Sequence, residues 1–153
     1  MKRVNESYLR EVMFSAFNTL NEASGITYLT GDYGSGRHVG NVAYPNEPFE
    51  IPDLGKAPHC WFELNVLLGE PESVGLFADS RNRWSGFLQI DLHTPLDTGS
   101  GQADAIYFWL NEIFRKGNEY GECSVNGIYK ASEEADKNSY RTVFRVEFDA
   151  DID

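Results

Sequence analysis

His93 and Asp91 are the residues of this chain whose spacing best fits chemistry. They stand two positions apart in a segment that alternates polar and apolar residues, so their side chains share one face of a predicted strand. Such a pair can transfer a proton or supply two ligands to a metal ion. A solvated strand face produces the same pattern and is commoner, so we interpret the pair as a polar face without catalysis.

The two cysteines are predicted to be structural. Cys60 follows His59 directly, and neighbouring residues of a strand point to opposite faces, which argues against a nucleophile with its base. Neither Cys60 nor Cys123 has another cysteine or histidine at the spacing of a metal finger. We expect two reduced thiols in or near the core of a cytoplasmic protein.

Two polar segments could each be interpreted as a ligand-binding site or, more simply, as an ordinary solvent-exposed loop. The segment 34–40 is rich in glycine, but its spacing differs from the dinucleotide fingerprint and no predicted helix follows it. It is predicted to belong to a mobile loop over about 31–40. Glu133, Glu134 and Asp136 lie in a predicted polar loop over 131–138, where we expect a solvated hairpin tip. An acidic contact surface or a weak divalent-ion site is the alternative.

The chain contains no Gly-x-Ser-x-Gly, His-Glu-x-x-His or Cys-x-x-Cys motif. We therefore expect no enzymatic activity, no cofactor and no bound metal.

Periodicity predicts two helices and several strands that must position these residues. An apolar stripe of period 3.6 runs from Val4 to Leu20, and a second one lies within 102–116. The predicted strands are 26–30, 41–44, 60–68, 73–78, 83–93, 122–130 and 140–148. This order predicts one α+β domain over residues 1–153, with a mainly antiparallel or mixed sheet and two helices packed on one face.

Composition excludes several classes of protein. The 153 residues are 41% hydrophobic, enough for a core without disulfides. Thirteen basic and 24 acidic residues give a net charge of −11, which argues against specific nucleic-acid binding and against an anionic membrane surface. No apolar run approaches the ~20 residues that span a bilayer.

A proline-rich arm over about 44–58 is predicted to stay extended, since its prolines keep it out of any helix. Phe49 and Ile51 are large apolar residues in this otherwise polar arm. We expect them to anchor the arm on the sheet or on a neighbouring subunit.

Five segments of the chain carry a recognisable pattern: Val42–Phe49, Trp61–Leu64, Arg83–Leu92, Gly99–Gly101 and Ile113–Gly117. Their motifs are an Ala-Tyr-Pro-Asn-x-Pro-Phe element, an Arg-x-x-Gly-x-Leu-Gln-Ile-Asp strand and a Gly-x-Gly before a helix. Together they resemble the tail terminator family of long-tailed bacteriophages, and the resemblance covers most of the chain.

The resemblance implies a structural protein of the virion. Members form a ring of six subunits that caps the finished tail tube, stops its polymerisation and presents the surface that joins the head. The implied partners are further copies of this chain, the tail tube protein and a head completion or connector protein. The implied location is the head–tail junction, after assembly in the host cytoplasm, with DNA passing through an acidic lumen.

In a ring of acidic subunits, positively charged side chains are needed at the contacts between neighbouring subunits, and basic residues are few in this chain. We expect these contacts from arginines that flank or lie on strands: Arg81, Arg83, Arg141 and Arg145. The alternatives are a head-to-tail joining protein on the connector side, a small-ligand binding module, and a small enzyme that uses His93 and Asp91.

Overall fold

A computed structural model describes residues 6–20, 41–47, 49–55, 59–74 and 81–152. The predicted loop over 31–40 and the strand predicted at 26–30 lie outside these residues. The elements in chain order are α1 Glu6–Phe17, β1 Val42–Ala43, β2 Trp61–Leu68, β3 Glu72–Val74, β4 Arg81–Thr94, α2 Gly101–Ile113, β5 Glu119–Tyr120, β6 Cys123–Ala135 and β7 Tyr140–Ile152.

Both described helices bury the apolar stripe that predicts them. Helix α1 buries residues three, four, seven and eight positions apart, which is one face of an α-helix: Leu9, Met13, Ala16 and Phe17. Helix α2 does the same with Ala103, Ile106, Leu110 and Ile113. Asn118 donates from Nδ2 to the Ile113 carbonyl at 2.8 Å, which satisfies a backbone acceptor at the end of α2.

The strands form one mixed sheet in the order β1-β2-β4-β7-β6-β5, with β3 beside β4. β1 is parallel to β2, and the other pairs are antiparallel. Alternate residues of the long strands join the helix residues in one buried cluster: Phe62, Leu64, Val66, Leu88, Ile90, Leu92, Phe144, Val146 and Phe148. The opposite face of the sheet carries the polar residues.

The α+β class and the mixed sheet are confirmed, but the sheet is curled and is not a flat layer under the two helices. The sheet curls into a half-barrel. Two irregularities in the β6–β7 register, at Val125/Gly127 and at Lys130/Ser132, explain part of this curl, because an extra residue bends a strand and increases its twist. Residue periodicity reports the buried side of a strand but not how far the strand twists.

The predicted polar loop is wrong over residues 131–135, because β6 continues to Ala135 and pairs with β7 along that length, whereas 136–138 form an exposed hairpin turn as expected. Its residues from Lys130 to Ala135 are exposed, so no alternation of buried and exposed positions marks the strand. The turn is closed by Asp136, whose Oδ1 accepts the N–H groups of Asn138 and Ser139 at 2.8 Å each. These hydrogen bonds lower the pKa of Asp136.

Both cysteines are free and buried, as predicted. Burial raises the pKa of Cys60 and of Cys123 to about 12. We therefore expect neither thiol to react with a disulfide reagent at pH 8 in the native protein, and both to react in 6 M guanidinium.

A raised pKa in the folded state makes stability fall as pH rises from about 9 towards 12, which alkaline denaturation curves would measure. Rapid native labelling of either thiol would contradict the burial.

Candidate functional site

The candidate site lies on the polar face of the sheet, where β2, β4 and β7 run side by side. His93 of β4 is opposite Trp61 of β2 and Arg141 of β7. The imidazole of His93 stacks on the Trp61 indole with ring centroids 3.9 Å apart and planes 7° from parallel. His93 is only 5% exposed, although it belongs to the face that does not carry the main core.

Both ring nitrogens of His93 have hydrogen-bond partners from distant segments. Nε2 is 2.8 Å from Glu63 Oε1, and Nδ1 is 2.9 Å from Ser139 Oγ. Because a carboxylate only accepts, Nε2 carries a proton, and in the neutral imidazole the Ser139 hydroxyl donates to Nδ1. The one hydroxyl proton of Ser139 is then used at Nδ1, and Ser139 is held to Asp136 by its backbone N–H, which donates to Asp136 Oδ1 at 2.8 Å. A hydrogen-bonded chain thus connects β2, β4 and the tip of the β6–β7 hairpin.

Serine, histidine and carboxylate are the residue types of a nucleophilic triad, but this geometry does not favour catalysis. Ser139 is buried, and its backbone N–H is already donated to Asp136. A nucleophile needs an exposed hydroxyl and free donors for the oxyanion that forms on attack. The chain of hydrogen bonds therefore holds the hairpin tip against the sheet.

Asp91 does not pair with His93, and the expected solvated face is wrong at these two positions, because both side chains are buried under partners from neighbouring strands. Its Oδ2 accepts from Arg141 Nη2 at 2.7 Å and from Nε at 3.1 Å, and Gln89 donates to Oδ1 at 3.1 Å. Arg141 Nη1 also donates to Glu134 at 3.2 Å. Within the described part of the chain, no group of three or more histidine, cysteine, aspartate or glutamate side chains is arranged to hold a metal ion.

The arm residues Phe49 and Ile51 occupy different environments. Phe49 is half-buried and stacks on Trp61 at 5.2 Å, so the indole lies between Phe49 and His93. Ile51 is 63% exposed. It borders an open cavity of about 570 Å³ between the arm and the hairpin tip, lined by Ile51, Pro52, Asp53, Leu54, Gly55, Trp61, Glu63, His93, Asp136, Asn138 and Ser139.

The arginines expected at an interface differ in the groups that they contact. Arg83 pairs with Asp151 at 2.8 Å, and Arg141 pairs with Asp91 and Glu134. The guanidinium of Arg145 lies over the Phe87 ring, 5.0 Å from its centroid. The side chain of Arg81 lies outside the described part of the structure.

Sequence reasoning missed Glu63, Ser139 and Trp61 as partners of His93. Glu63 and Trp61 stand in a predicted strand whose register against β4 is not encoded by local periodicity. Ser139 lies between the predicted loop over 131–138 and the strand predicted from Tyr140, at a position that neither prediction includes. The only available signal was a polar residue facing outward at position 63, which many exposed strands also have.

Replacing Phe49 by Ala is expected to lower the free energy of unfolding by about 2 kcal/mol, since a half-buried ring loses part of what a buried one contributes. Ile51→Ala is the matched control, with an expected change within about 0.5 kcal/mol because Ile51 is exposed. Urea denaturation of both variants measures this. An unchanged melting temperature and normal assembly of the Phe49 variant would remove its anchoring role.

The comparisons with known proteins establish the fold alone. No family model matches the chain, and no curated protein sequence is significantly similar to it. Sixteen chains of solved structures are similar in fold. One of them, from a protein whose name describes no function, superposes with a TM-score of 0.60 at 18% identity, covering 92% of this chain and 94% of its own. This protein and that structure thus share the fold over nearly the full length of both chains.

Among the described residues, no helix has the length and hydropathy to cross a bilayer.

Proposed function

We propose that this protein is a structural component of a phage tail, which caps the completed tail tube as a ring and offers a surface for the head. The observation that carries the proposal is the exposure of four large apolar side chains among the described residues, on a chain whose His93 and Asp91 are each held by side chains of neighbouring segments. These side chains are Ile51, Leu67, Phe108 and Tyr129, between 41% and 63% exposed. Exposed apolar and aromatic residues are typical of surfaces that bind other proteins.

The segments that resemble tail terminators are neighbours in the fold, which supports the proposal. Val42–Ala43 pairs with Phe62 and Glu63, and that strand pairs with residues 86–93 of the next motif. The Gly-x-Gly then leads directly into α2. Motifs that are far apart in sequence thus build one continuous half of the sheet, as expected if they specify a common fold.

The polar groups of the site fit a structural role. His93, Asp91 and Arg141 connect β2, β4, β7 and the hairpin through the hydrogen bonds described above. The net charge of −11 supports a ring through which DNA passes, since an acidic lumen does not retain phosphates.

The experiment is a capping assay with the tail tube protein from the same phage genome. Purified protein added during tube polymerisation is expected to shorten the tubes and to leave a ring at one end in negative-stain images. A connector protein from the same genome is then expected to bind capped tubes and not bare ones.

Two outcomes would change the assignment. Binding to isolated connector rings without any effect on tubes would favour a head-to-tail joining protein on the connector side. Tubes of unchanged length, with no binding to either partner, would contradict a role in tail completion.

A further inference from the structure

Arg145 differs from the other arginines on the polar face of the sheet. It lies on β7, opposite Gln89 of β4 and Tyr129 of β6. Its guanidinium covers the Phe87 ring, and its Nε is buried without a hydrogen-bond acceptor. Within the residues that the structure describes, no carboxylate oxygen lies within 4 Å of Arg145.

The other arginines with described side chains each have a carboxylate partner in the same chain. These pairs are Arg10–Glu6, Arg83–Asp151, Arg115–Glu112 and Arg141–Asp91. The chain has 24 acidic and 13 basic residues, so an arginine without a carboxylate is unexpected on composition. A buried N–H without an acceptor also destabilises the free chain. Groups that lower the stability of the free chain are typical of binding positions, because function often trades against stability.

The surroundings of Arg145 are those of a binding position. The guanidinium lies over the Phe87 ring, and because Nε is buried, the two Nη groups are the donors that form a fork matching a carboxylate in geometry. Tyr129 and Leu67 flank this position on the same face and are 41% and 42% exposed. Arginine and tyrosine beside apolar area are the residue types that contribute most to protein interfaces.

We propose that Arg145, supported by Phe87 and flanked by Tyr129 and Leu67, binds a carboxylate of a neighbouring copy of this chain. This inference rests on the proposed ring. Charge complementarity selects the occupant: each copy carries eleven more acidic than basic residues, so its surface offers carboxylates in excess. The contact is one of the attractive terms that must offset repulsion between six acidic subunits.

The test compares Arg145→Met with Arg145→Lys and with the control Arg10→Met, whose arginine is exposed and already paired with Glu6 on α1. Sedimentation velocity at a magnesium and salt concentration that assembles the wild-type protein measures the dissociation constant, and thermal unfolding measures stability. We expect Arg145→Met to weaken self-association at least tenfold while its melting temperature stays equal or rises. Arg145→Lys should be intermediate, and Arg10→Met should match the wild type in both measurements.

The inference and the proposed function can fail separately. Wild-type assembly by Arg145→Met would overturn the inference, as would a wild-type chain that is monomeric under all conditions, or a fall in stability that accounts for the lost assembly. A monomeric wild-type protein that caps tubes only when Arg145 is present would assign the carboxylate to the tube protein instead. Arginine-dependent rings that do not cap tubes would leave the inference intact and contradict the tail function.

Discussion

Replacing Arg141 by Met is expected to lower the free energy of unfolding by about 3 kcal/mol. Arg141 donates twice to Asp91, whose side chain is only 9% exposed, and removing it leaves a buried carboxylate without its counter-charge. Losing one partner of a buried ion pair costs 3 to 5 kcal/mol. We expect the lower end of this range of destabilisation, because a third of the Arg141 side chain is exposed to solvent. Guanidinium denaturation followed by circular dichroism measures the loss.

Two further variants separate this explanation from a general effect of losing an arginine. Arg83→Met removes a pair whose side chains are both more than 40% exposed, so its cost should stay within about 0.5 kcal/mol. The double variant Asp91→Leu, Arg141→Met removes both charges and should recover most of the lost stability. A single Arg141 variant as stable as the wild type, or a double variant no better than the single one, would contradict the role of the pair.

The second large effect concerns assembly. At low salt and low concentration we expect a protein that is largely monomeric, and we expect salt or millimolar divalent cations to shift it to rings. Six copies at −11 each carry −66, and this repulsion acts before any contact forms. Repulsion between exposed charges fades beyond ~8 Å at physiological ionic strength. Contacts that are partly buried, such as the one proposed for Arg145, are screened less and then dominate.

A salt and magnesium series followed by sedimentation velocity tests this expectation. Sodium and magnesium chloride compared at equal ionic strength separate general screening from binding of the divalent ion. A tail tube end should also promote rings at low salt, since it supplies a six-fold template. Rings that are stable at low ionic strength and dissociate as salt rises would contradict the argument and indicate an interface made of exposed ion pairs.

The sequence predicts the helices and strands of this fold correctly where one side of the helix or strand is buried. The apolar stripe of α1 and the alternation of Leu88, Ile90 and Leu92 in β4 follow from burial of one face, and both are confirmed. The distal half of β6 was missed because its residues are exposed, and exposure removes the alternation on which strand prediction depends.

The site was predictable only in part. The spacing of His93 and Asp91 singles out two of its residues, but the solvated face that this spacing favours is wrong here, because both side chains are buried. Glu63 and Ser139 bind His93 across 30 and 46 positions of chain, and Arg141 binds Asp91 across 50. A spacing of two residues places side chains on one face, whereas the register of the neighbouring strands decides which group each one meets.

The sequence by itself determined the α+β class, the two amphipathic helices, the buried thiols and the acidic charge, because composition and local periodicity report these properties directly. Only the tertiary structure decided that the sheet curls, that Phe49 packs on Trp61 while Ile51 is exposed, and that Arg145 has no carboxylate partner among the described residues while Arg83 and Arg141 have theirs. The physical reason is that these properties depend on strand register and twist, which join segments distant in the chain and leave no periodic trace in any one of them.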